Sequence, residues 1–448
     1  MTSSLEVPSA SPSWLANARH NYQRPALLVV QAAVIVASLI ALWYWLPDTF
    51  DSWNNERASD FPNFNGSALL VREGFGDQIY DRTPARDEEL LEFCNIPDEL
   101  ADASLTFTGP NDACRALEGN FRSPPSIIFL YLPGSFLPGD GAYHAAFIVI
   151  ALATVALATW TAAYFDSWPA RLAVFLAVLA LPITQLALRL SQPAALYGLA
   201  MLAGFTFHAR RMPVPAALCF SFLSLKPQFL VLPLLYLLYR RSWSTALWTA
   251  CLSIAGFLAG AALVGPTATW NLVELTYDLT IDGPHPLQQA WMYNWQGFAL
   301  ALAGEPLRTA ATLLSISSLM LVAVACVRRP AASAALVIAA SVLVVPYVLF
   351  YDWLILCGAA AIAMAYFSAT EGRNWLGVLF LFVWLGVWAT HESLPLFGSQ
   401  AGDLPESEVY WSTVSLVIAM VGYAILSEVL GRTADRPGAT REATGPLA

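Results

Sequence analysis

Apolar runs of membrane-spanning length recur along this chain from Pro25 to Leu430. Of its 448 residues, 57% are apolar and only 12% are charged. A run of about 20 apolar residues can cross the hydrocarbon core of a bilayer as a helix. Inside that solvent only helices and closed barrels satisfy every backbone hydrogen bond. The sequence therefore predicts an all-α polytopic membrane protein.

Arginine placement sets the orientation, because short cytoplasmic loops hold the excess of positive charge. Arginine pairs at 210–211 and 240–241 flank the apolar segment 213–239, so both ends of that segment are predicted to be cytoplasmic. A single span cannot achieve this. Pro227 cannot continue a helix, and a lone Lys226 at the centre of a span costs about 2.5–3.5 kcal/mol. We therefore predict two short helices that meet at an outward-facing Lys226.

This interpretation gives twelve transmembrane helices with both termini in the cytoplasm. One transmembrane domain covers residues 25–430, and residues 1–24 and 431–448 are predicted to be disordered cytoplasmic segments. A large first loop, 47–141, lies outside, and its proline-broken stretch 127–138 predicts one or two juxtamembrane helices. The predicted spans are 25–46, 142–165, 170–188, 193–209, 213–225, 227–239, 243–263, 307–327, 331–346, 353–368, 374–391 and 410–430.

The acidic segment 47–125 carries the entire net charge of the protein. It holds sixteen acidic residues and six arginines, which gives −10, and the rest of the chain sums to zero. We interpret it as a water-facing module held at the membrane surface. Cys94 and Cys114 both lie in it, and an outside location would favour a disulfide between them, worth roughly 3 kcal/mol in the chain-entropy model. The alternative is a pair of free thiols.

The motifs of soluble enzymes are missing from this sequence. It has no phosphate-binding loop of the Walker type, no dinucleotide glycine pattern and no nucleophile elbow. Its five histidines are scattered, and no spacing suggests a structural metal. We expect no metal, no cofactor and no nucleic-acid partner.

Asp60 opens the first apolar stretch of the acidic loop. The pattern that follows predicts a short amphipathic helix lying on the membrane, with Phe61, Phe64 and Leu69 facing lipid. Asp60 is then either a helix cap, worth about 1 kcal/mol, or a carboxylate held just outside the bilayer to accept a proton from an acceptor hydroxyl.

Lys226 also has two interpretations. It either pairs with a buried carboxylate or extends toward water along the protein, or it binds an anion. For the second interpretation, Pro227 suits the first position of the second half-helix, whose positive end would lie beside the ammonium. That combination is suited to the phosphate of a lipid.

Aromatic residues mark two further segments that are predicted to lie outside. Trp291 and Trp295 belong to the loop 264–306, where they either form an interfacial belt or line an outside cavity. In such a cavity they would stack on a sugar ring or guide an isoprenoid tail. Tyr347 and Asp352 lie where the ninth span passes into the tenth. Asp352 is either a structural cap or a second polar wall of a site.

Taken in order, these motifs resemble glycosyltransferase family 87 of the GT-C superfamily, whose members include phosphatidylinositol mannoside mannosyltransferases. The resemblance covers most of residues 25–370. It is carried by Asp60 with Gly74, Tyr80 and Asp81, by Ser123-Pro124-Pro125, by Leu225-Lys226-Pro227-Gln228, and by Pro346 with Tyr351-Asp352.

The resemblance implies an inverting transferase that moves a sugar, usually mannose, from a polyprenyl-phosphate donor to a lipid-linked or polymeric glycan. The enzyme would lie in a bacterial inner membrane with its active site facing the periplasm. Asp60 would be the general base, and Lys226 would face the donor phosphate. Many members have Pro-His where this chain has Pro346-Tyr347, and His285 is the candidate substitute for that histidine in binding the donor phosphate. Residues expected to contact the sugar or the acceptor are Tyr80, Asp81, Trp291, Trp295, Tyr347 and Asp352.

Two other classes of membrane protein share some of these features. A transporter or flippase of a lipid-linked sugar also uses broken helices and intramembrane charges, but the chain contains no second copy of the Lys-Pro break. A polysaccharide polymerase or ligase needs basic outside loops for a pyrophosphate donor, and the first loop here is acidic.

Overall fold

The chain folds as a helical protein with several apolar helices, as its apolar runs predict. The computed structural model describes residues 13–53, 61–80, 123–137, 141–165, 167–281, 292, 294–303, 307–330, 332–345, 347–369 and 406–434. Within these residues the backbone forms α-helices and 3₁₀ turns. One isolated antiparallel bridge joins Met292 to Leu349, and this part of the chain contains no β-strand.

The helices are numbered in chain order. They are α1 (Ser13–Trp53), α2 (Phe61–Glu73), α3 (Ile128–Tyr131), α4 (Gly141–Ala163), α5 (Trp168–Ala180), α6 (Pro182–Arg189), α7 (Ala194–Ala209), α8 (Pro213–Phe222), α9 (Val231–Tyr239), α10 (Trp243–Ile281), α11 (Trp295–Ala303), α12 (Arg308–Arg328), α13 (Ser333–Leu343), α14 (Leu356–Ala369) and α15 (Glu406–Ala434). The 3₁₀ turns are Gly76–Gln78, Pro125–Ile127, Gly134–Phe136, Leu223–Leu225, Pro227–Phe229 and Phe350–Ile355.

Four of the described helices are long and apolar enough to cross a bilayer. They are α1 over Leu28–Pro47, α4, α10 over Trp243–Thr276, and α12, and the bent pair of α5 and α6 would make a fifth. Other apolar helices are only 10–17 residues long. The predicted span 374–391 lies outside the described residues. The total of twelve spans and the outside location of the first loop therefore stay predictions.

A proline bends the third predicted span. The sequence predicts one helix over 170–188, whereas α5 and α6 meet at 48° around Leu181. Pro182 excludes helical geometry for the residue before it, and Leu181 accordingly has ψ 130. The side chains of Thr184 and Gln185 donate hydrogen bonds to carbonyl groups at the end of α5. The break therefore leaves these carbonyls satisfied in a location without water.

Helix α10 kinks near residue 263, where the predicted span ends, and then continues. Its backbone leaves helical geometry at Gly265, with φ 88 and ψ 166, a conformation that glycine adopts without steric cost. Pro266 follows at a position where a missing N–H does little harm. The second part extends to Ile281, so part of the predicted outside loop 264–306 is helical.

The terminal helices are longer than the spans predicted for them. α1 begins at Ser13, although residues 1–24 are predicted to be disordered, and α15 ends at Ala434, inside the predicted tail 431–448. The segment from Ser13 to Arg24 contains neither glycine nor proline. It therefore lacks the residues that most strongly oppose a helix.

Buried side chains form two main clusters. The central cluster surrounds Trp353, Phe220 and Phe229 and involves most of the apolar helices. The partly buried Leu225 packs against both clusters, so the predicted break at Lys226 lies where they meet. The outer cluster consists of Phe61, Phe64, Ala68, Leu70, Ile79, Tyr80, Ile127, Ile128, Tyr131, Ala142, Tyr143, Val264, Ala268 and Leu272.

The prediction that α2 faces lipid is wrong for its two phenylalanines. Phe61 is 1% exposed, and its ring packs edge-on against Tyr143 at 5.4 Å. The ring of Phe64 stacks on Tyr131 at 4.9 Å, and Leu69 is half-buried. An apolar helix face can cover protein or lipid equally well, so its periodicity does not distinguish the two.

The stretch 127–138 forms no single span, in agreement with the sequence. Its described part contains the four-residue helix α3, and 3₁₀ turns lie before and after it. Ser135 donates its hydroxyl proton to the carbonyl of Leu132. The side chain of Arg72, near the end of α2, donates to the carbonyl of Ser135 and lies over the ring of Phe136. These contacts hold α2 against the short helix.

Candidate active site

Lys226 separates two short helices, as its sequence context predicts. The turns Leu223–Leu225 and Pro227–Phe229 lie on either side of it, and its own φ and ψ are −138 and 76. Pro227 forces this extended geometry on the residue before it. Helices α8 and α9 lead away from the break, and each is adjacent at its far end to an exposed arginine pair. The lysine therefore lies at the opposite end of both half-helices from those arginines.

The ammonium of Lys226 forms an ion pair with Asp352. Its Nζ lies 2.6 Å from Oδ1 and 2.5 Å from Oδ2 of the carboxylate. Asp352 is fully buried, whereas the lysine side chain is 16% exposed. The backbone N–H of Leu349 donates a third hydrogen bond to Oδ2, at 3.0 Å. Asp352 is thus both a cap of the Phe350–Ile355 turn and the partner of Lys226. Pairing with a buried carboxylate is the first of the two interpretations given above for this lysine.

Two aromatic rings lie close to the ammonium of Lys226. Lys226 Nζ lies 5.4 Å from the ring centroid of Tyr351 and 5.6 Å from that of Phe229. Both distances are within the range of cation–π attraction. The ring of Tyr197 lies 6.4 Å from that of Phe229, and Tyr197 is near enough to Asp352 to interact with it electrostatically. The charge pair therefore lies in an aromatic environment, and the lysine side chain stays partly exposed.

Lys226 is the only lysine in the chain, since the other 21 of the 22 basic residues are arginines. An ammonium is a compact point charge, whereas a guanidinium is a planar fork that needs more space. Composition alone therefore marks this position as chemically distinct. It also carries the only ε-amine of the chain, so an amine-directed label on a lysine reports on this position alone.

The segment around Tyr347 reaches the same region. The side-chain amide of Gln228 donates to the backbone carbonyl of Tyr347, at 3.2 Å. Close by, the isolated bridge joins Met292 to Leu349. The second predicted outside segment thus contacts the turn that leads to Asp352.

Trp295 lies in the central cluster and not over an open cavity. It is 6% exposed, and its indole N–H donates to the hydroxyl of Ser318 in α12, at 2.9 Å. Its described contacts are those of a packing residue. A role in stacking on a sugar stays a prediction for which this geometry gives no support.

Tyr80 connects the first half of the predicted loop 47–141 to the Ser-Pro-Pro motif in its second half. Its side chain is buried in the outer cluster, and its hydroxyl donates to the carbonyl of Ser123, at 2.6 Å. Burial raises the pKa of the Tyr80 phenol well above its ordinary value, so the hydroxyl stays a donor at physiological pH. The adjoining turn Pro125–Ile127 packs against Leu223–Leu225, the turn that ends at Lys226.

Helix α10 also packs closely against the turn Pro125–Ile127, because it has a glycine at the crossing. A Cβ at Gly260 would lie 2.6 Å from the backbone atoms Pro125 C and Ser126 N, closer than such atoms can approach. The structure therefore brings together three of the motifs that carry the family resemblance: Tyr80 with Ser123-Pro124-Pro125, the Lys226 break and Tyr351-Asp352.

Asn294 is a site-adjacent residue that sequence reasoning missed. It is fully buried, and its side-chain nitrogen donates to the carbonyl of Val345, at 2.7 Å. Its side-chain oxygen accepts from the backbone N–H groups of Gln296 and Gly297, both at 3.0 Å. An asparagine directly before a helix is a cap signal, and this signal could have identified it. The side chain joins α11 to the segment that leads to Asp352.

Several predicted site residues lie outside the described residues, and their roles stay predictions. Among the residues that are described, no three His, Cys, Asp or Glu side chains are grouped so that they could hold a metal ion. The predicted residues outside the described part are Asp60, Asp81, Cys94, Cys114, His285 and Trp291.

Comparison with known proteins gives one family match. The model of glycosyltransferase family 87 matches residues 121–351, just over half of the chain. The matched segment begins before the Ser-Pro-Pro motif and ends at Tyr351, next to Asp352. No curated protein and no solved structure matches the chain.

Proposed function

The chain belongs to glycosyltransferase family 87 and is therefore a membrane glycosyltransferase; we propose that its donor is a polyprenyl-phosphate sugar. The proposed sugar is mannose. The acceptor is a lipid-linked or polymeric glycan, and the reaction takes place on the periplasmic face of a bacterial inner membrane. The observation that carries this proposal is the Lys226–Asp352 pair, which holds a partly exposed ammonium at a helix break.

The pair suits a phosphate leaving group. When the sugar leaves a polyprenyl-phosphate ester, the phosphate gains one negative charge. An ammonium already fixed in a region of low dielectric stabilises that charge without reorganising at the moment of reaction. Asp352 acts as a positioning residue, because it keeps the ammonium at the break and offsets the cost of burying it.

The reaction is a single displacement with inversion. The acceptor oxygen forms a bond to the anomeric carbon while the bond from that carbon to the phosphate oxygen breaks. The bonding electron pair leaves with polyprenyl phosphate, whose phosphate group faces the ammonium of Lys226. The proton of the acceptor hydroxyl passes to the carboxylate of Asp60. No covalent sugar–enzyme intermediate is needed.

The periplasmic assignment rests on charge placement. The arginine pairs 210–211 and 240–241 are exposed and lie at the ends of α7 and α9. If short arginine-rich loops are cytoplasmic, the break at Lys226 faces the other side. Polyprenyl-phosphate sugars are lipid-anchored, so a site at the membrane boundary suits such a donor.

The sole lysine makes a direct test possible. Purified protein is incubated with synthetic polyprenyl-phosphate mannose, glucose or arabinose, with and without a membrane lipid extract, and released polyprenyl phosphate is measured by mass spectrometry. In parallel, reductive methylation of Lys226 is followed, with the amino terminus as the internal reference. We expect one donor to be consumed and to protect Lys226. If no donor is consumed and the lysine is methylated at the same rate throughout, the proposed donor class is wrong. Movement of intact lipid-linked sugar across vesicles would instead indicate a flippase.

A further inference from the structure

Two buried serine hydroxyls, on segments next to the turns of Lys226 and Asp352, have no hydrogen-bond partner among the described residues. Ser191 is 0% exposed and Ser126 is 3% exposed, and neither Oγ has a partner. A buried hydroxyl without a partner is costly, and such groups in a folded protein require an explanation. We propose that both hydroxyls bind the phosphate group of the lipid-linked donor, an inference that rests on the proposed function.

The segments of the two serines contact the two turns that hold the ion pair. Ser126 belongs to the turn Pro125–Ile127, which packs against the turn that ends at Lys226. Ser191 follows helix α6, which packs against the Phe350–Ile355 turn that carries Asp352. Each turn of the pair therefore contacts a segment that carries, or is followed within two residues by, a partnerless hydroxyl.

Other buried serines in the described part of the chain show how such a hydroxyl is usually satisfied. Ser67 and Ser341 donate to a carbonyl one turn earlier in their own helices, and Ser333 donates to the carbonyl three residues before it. Ser126 and Ser191 lie in turns and do not form this bond. A hydroxyl group left with its proton free to donate is suited to an acceptor such as a phosphate oxygen.

The backbone of Ser191 adds a second cost. Its φ is +52, in the left-handed region, where it closes the end of α6 through bonds from its own N–H to Leu188 and from Gln192 to Ala187. Glycine is the residue that favours this position. The other non-glycine residues with positive φ in the described structure, Arg211 and Arg241, are both exposed. Only at 191 is a strained residue also fully buried, and strain of this kind is typical of binding sites.

The charge balance of the pair explains why the phosphate needs uncharged hydrogen-bond donors as well. Lys226 and Asp352 together carry no net charge, so they attract an anion less strongly than a free lysine would. Hydroxyl groups that donate to phosphate oxygens form charge-assisted hydrogen bonds, and they bring no positive charge into the membrane. In the proposed site these two hydroxyls add to the ammonium the neutral hydrogen-bond donors that a phosphate needs.

The test compares Ser191→Ala, Ser126→Ala and Ser191→Gly with Ser253→Ala, a matched control that removes a partnerless buried hydroxyl from α10. For each protein, the concentration of polyprenyl-phosphate mannose that half-protects Lys226 from methylation is measured, together with Tm. We expect that concentration to rise about tenfold or more in the three site variants. Tm is expected to be unchanged or higher, and highest for Ser191→Gly. Ser253→Ala is expected to keep wild-type protection.

Two results would overturn the inference while the proposed function stands. Wild-type protection in Ser191→Ala and Ser126→Ala would show that the donor does not use these hydroxyls. Loss of protection in parallel with a fall in Tm would assign them to folding. If the wild-type protein neither consumes the donor nor shows protection of Lys226, both proposals fail.

Discussion

The two carboxylate oxygens of Asp352 lie 2.6 and 2.5 Å from the ammonium of Lys226, although the residues are 126 positions apart in the chain. One partner comes from a break between half-helices, and the other caps a 3₁₀ turn. The pair therefore joins two structural irregularities of the fold, and each of them is stabilised by the other.

The ion pair should be asymmetric in its effect on stability. Lys226→Met leaves a fully buried carboxylate without its cation. We expect the free energy of unfolding to fall by an amount toward the upper end of about 3–5 kcal/mol. Asp352→Asn should cost less, because the lysine is partly exposed and can turn its ammonium toward water. The double variant should be more stable than the sum of the two losses predicts. Thermal unfolding of the four proteins in one detergent measures this coupling, and strictly additive losses would show that the pair contributes nothing.

Asp60→Asn should reduce turnover by about 100-fold or more, because a general base contributes roughly 10²–10⁴ to the rate. Binding of the donor, read from protection of Lys226, should be unchanged. Asp77→Asn is the matched control, since it removes an exposed carboxylate from the same loop. Full activity of Asp60→Asn would leave this residue with the helix-capping role alone.

Tyr80→Phe should destabilise the protein by about 0.5–1.5 kcal/mol at neutral pH, through loss of the bond to the Ser123 carbonyl. Burial raises the pKa of the phenol above its ordinary value of 10.0. The unfolded chain therefore loses this proton first, and the stabilisation is complete below pH 10 and declines above it. The difference in Tm between wild type and Tyr80→Phe should shrink as the pH rises past that value. Tyr44→Phe, at an exposed site, is the comparison, and a difference independent of pH would contradict the argument.

Gly260→Ala should disturb the Ser-Pro-Pro motif, because the added methyl group would meet the backbone of Pro125 and Ser126. Overpacking of this kind costs typically about 1–3 kcal/mol. We expect a lower Tm together with weaker donor binding. Gly256→Ala is the control in the same helix, since a Cβ there meets nothing within 4 Å. Equal effects of the two substitutions would exclude a specific contact.

The Cys94–Cys114 disulfide can be tested by mass spectrometry of non-reduced peptides. We expect a single linked pair, because the first loop is predicted to lie outside, in an oxidising compartment. The four cysteines in or next to the apolar helices, Cys219, Cys251, Cys326 and Cys357, are free in the structure and are the internal comparison. Two free thiols at 94 and 114 would remove both the disulfide and part of the support for the topology.

The sequence predicts local features well and pairings across the chain poorly. The break at Lys226 could be predicted because its cause, Pro227, is the next residue. The bend before Pro182 had the same local signal, yet apolar residues on both sides suggested one continuous span. The partnership of Lys226 with Asp352 depends on tertiary packing, and spacing along the chain contains no trace of it.

The misassignment of Phe61 and Phe64 has a different origin. In a membrane protein, lipid and protein interior are both apolar. A hydrophobic helix face therefore does not show whether it is covered by lipid or by protein. The strained backbone of Ser191 gave no sequence signal, because serine is an ordinary residue in a turn. Asp60, on which the catalytic prediction rests, lies outside the described residues. The next residue, Phe61, is described, and its ring packs against Tyr143.

The distance in sequence between Lys226 and Asp352 has a consequence for how the protein is made. At ~5–20 residues per second, the ribosome needs about 6–25 seconds after adding the lysine before the aspartate exists. During that interval the two half-helices carry an uncompensated charge and are each too short to cross the bilayer alone. The hairpin around Lys226 must therefore wait at the membrane boundary or within the insertion machinery. The step that forms the Lys226–Asp352 pair is then also the step that commits this part of the chain to the membrane.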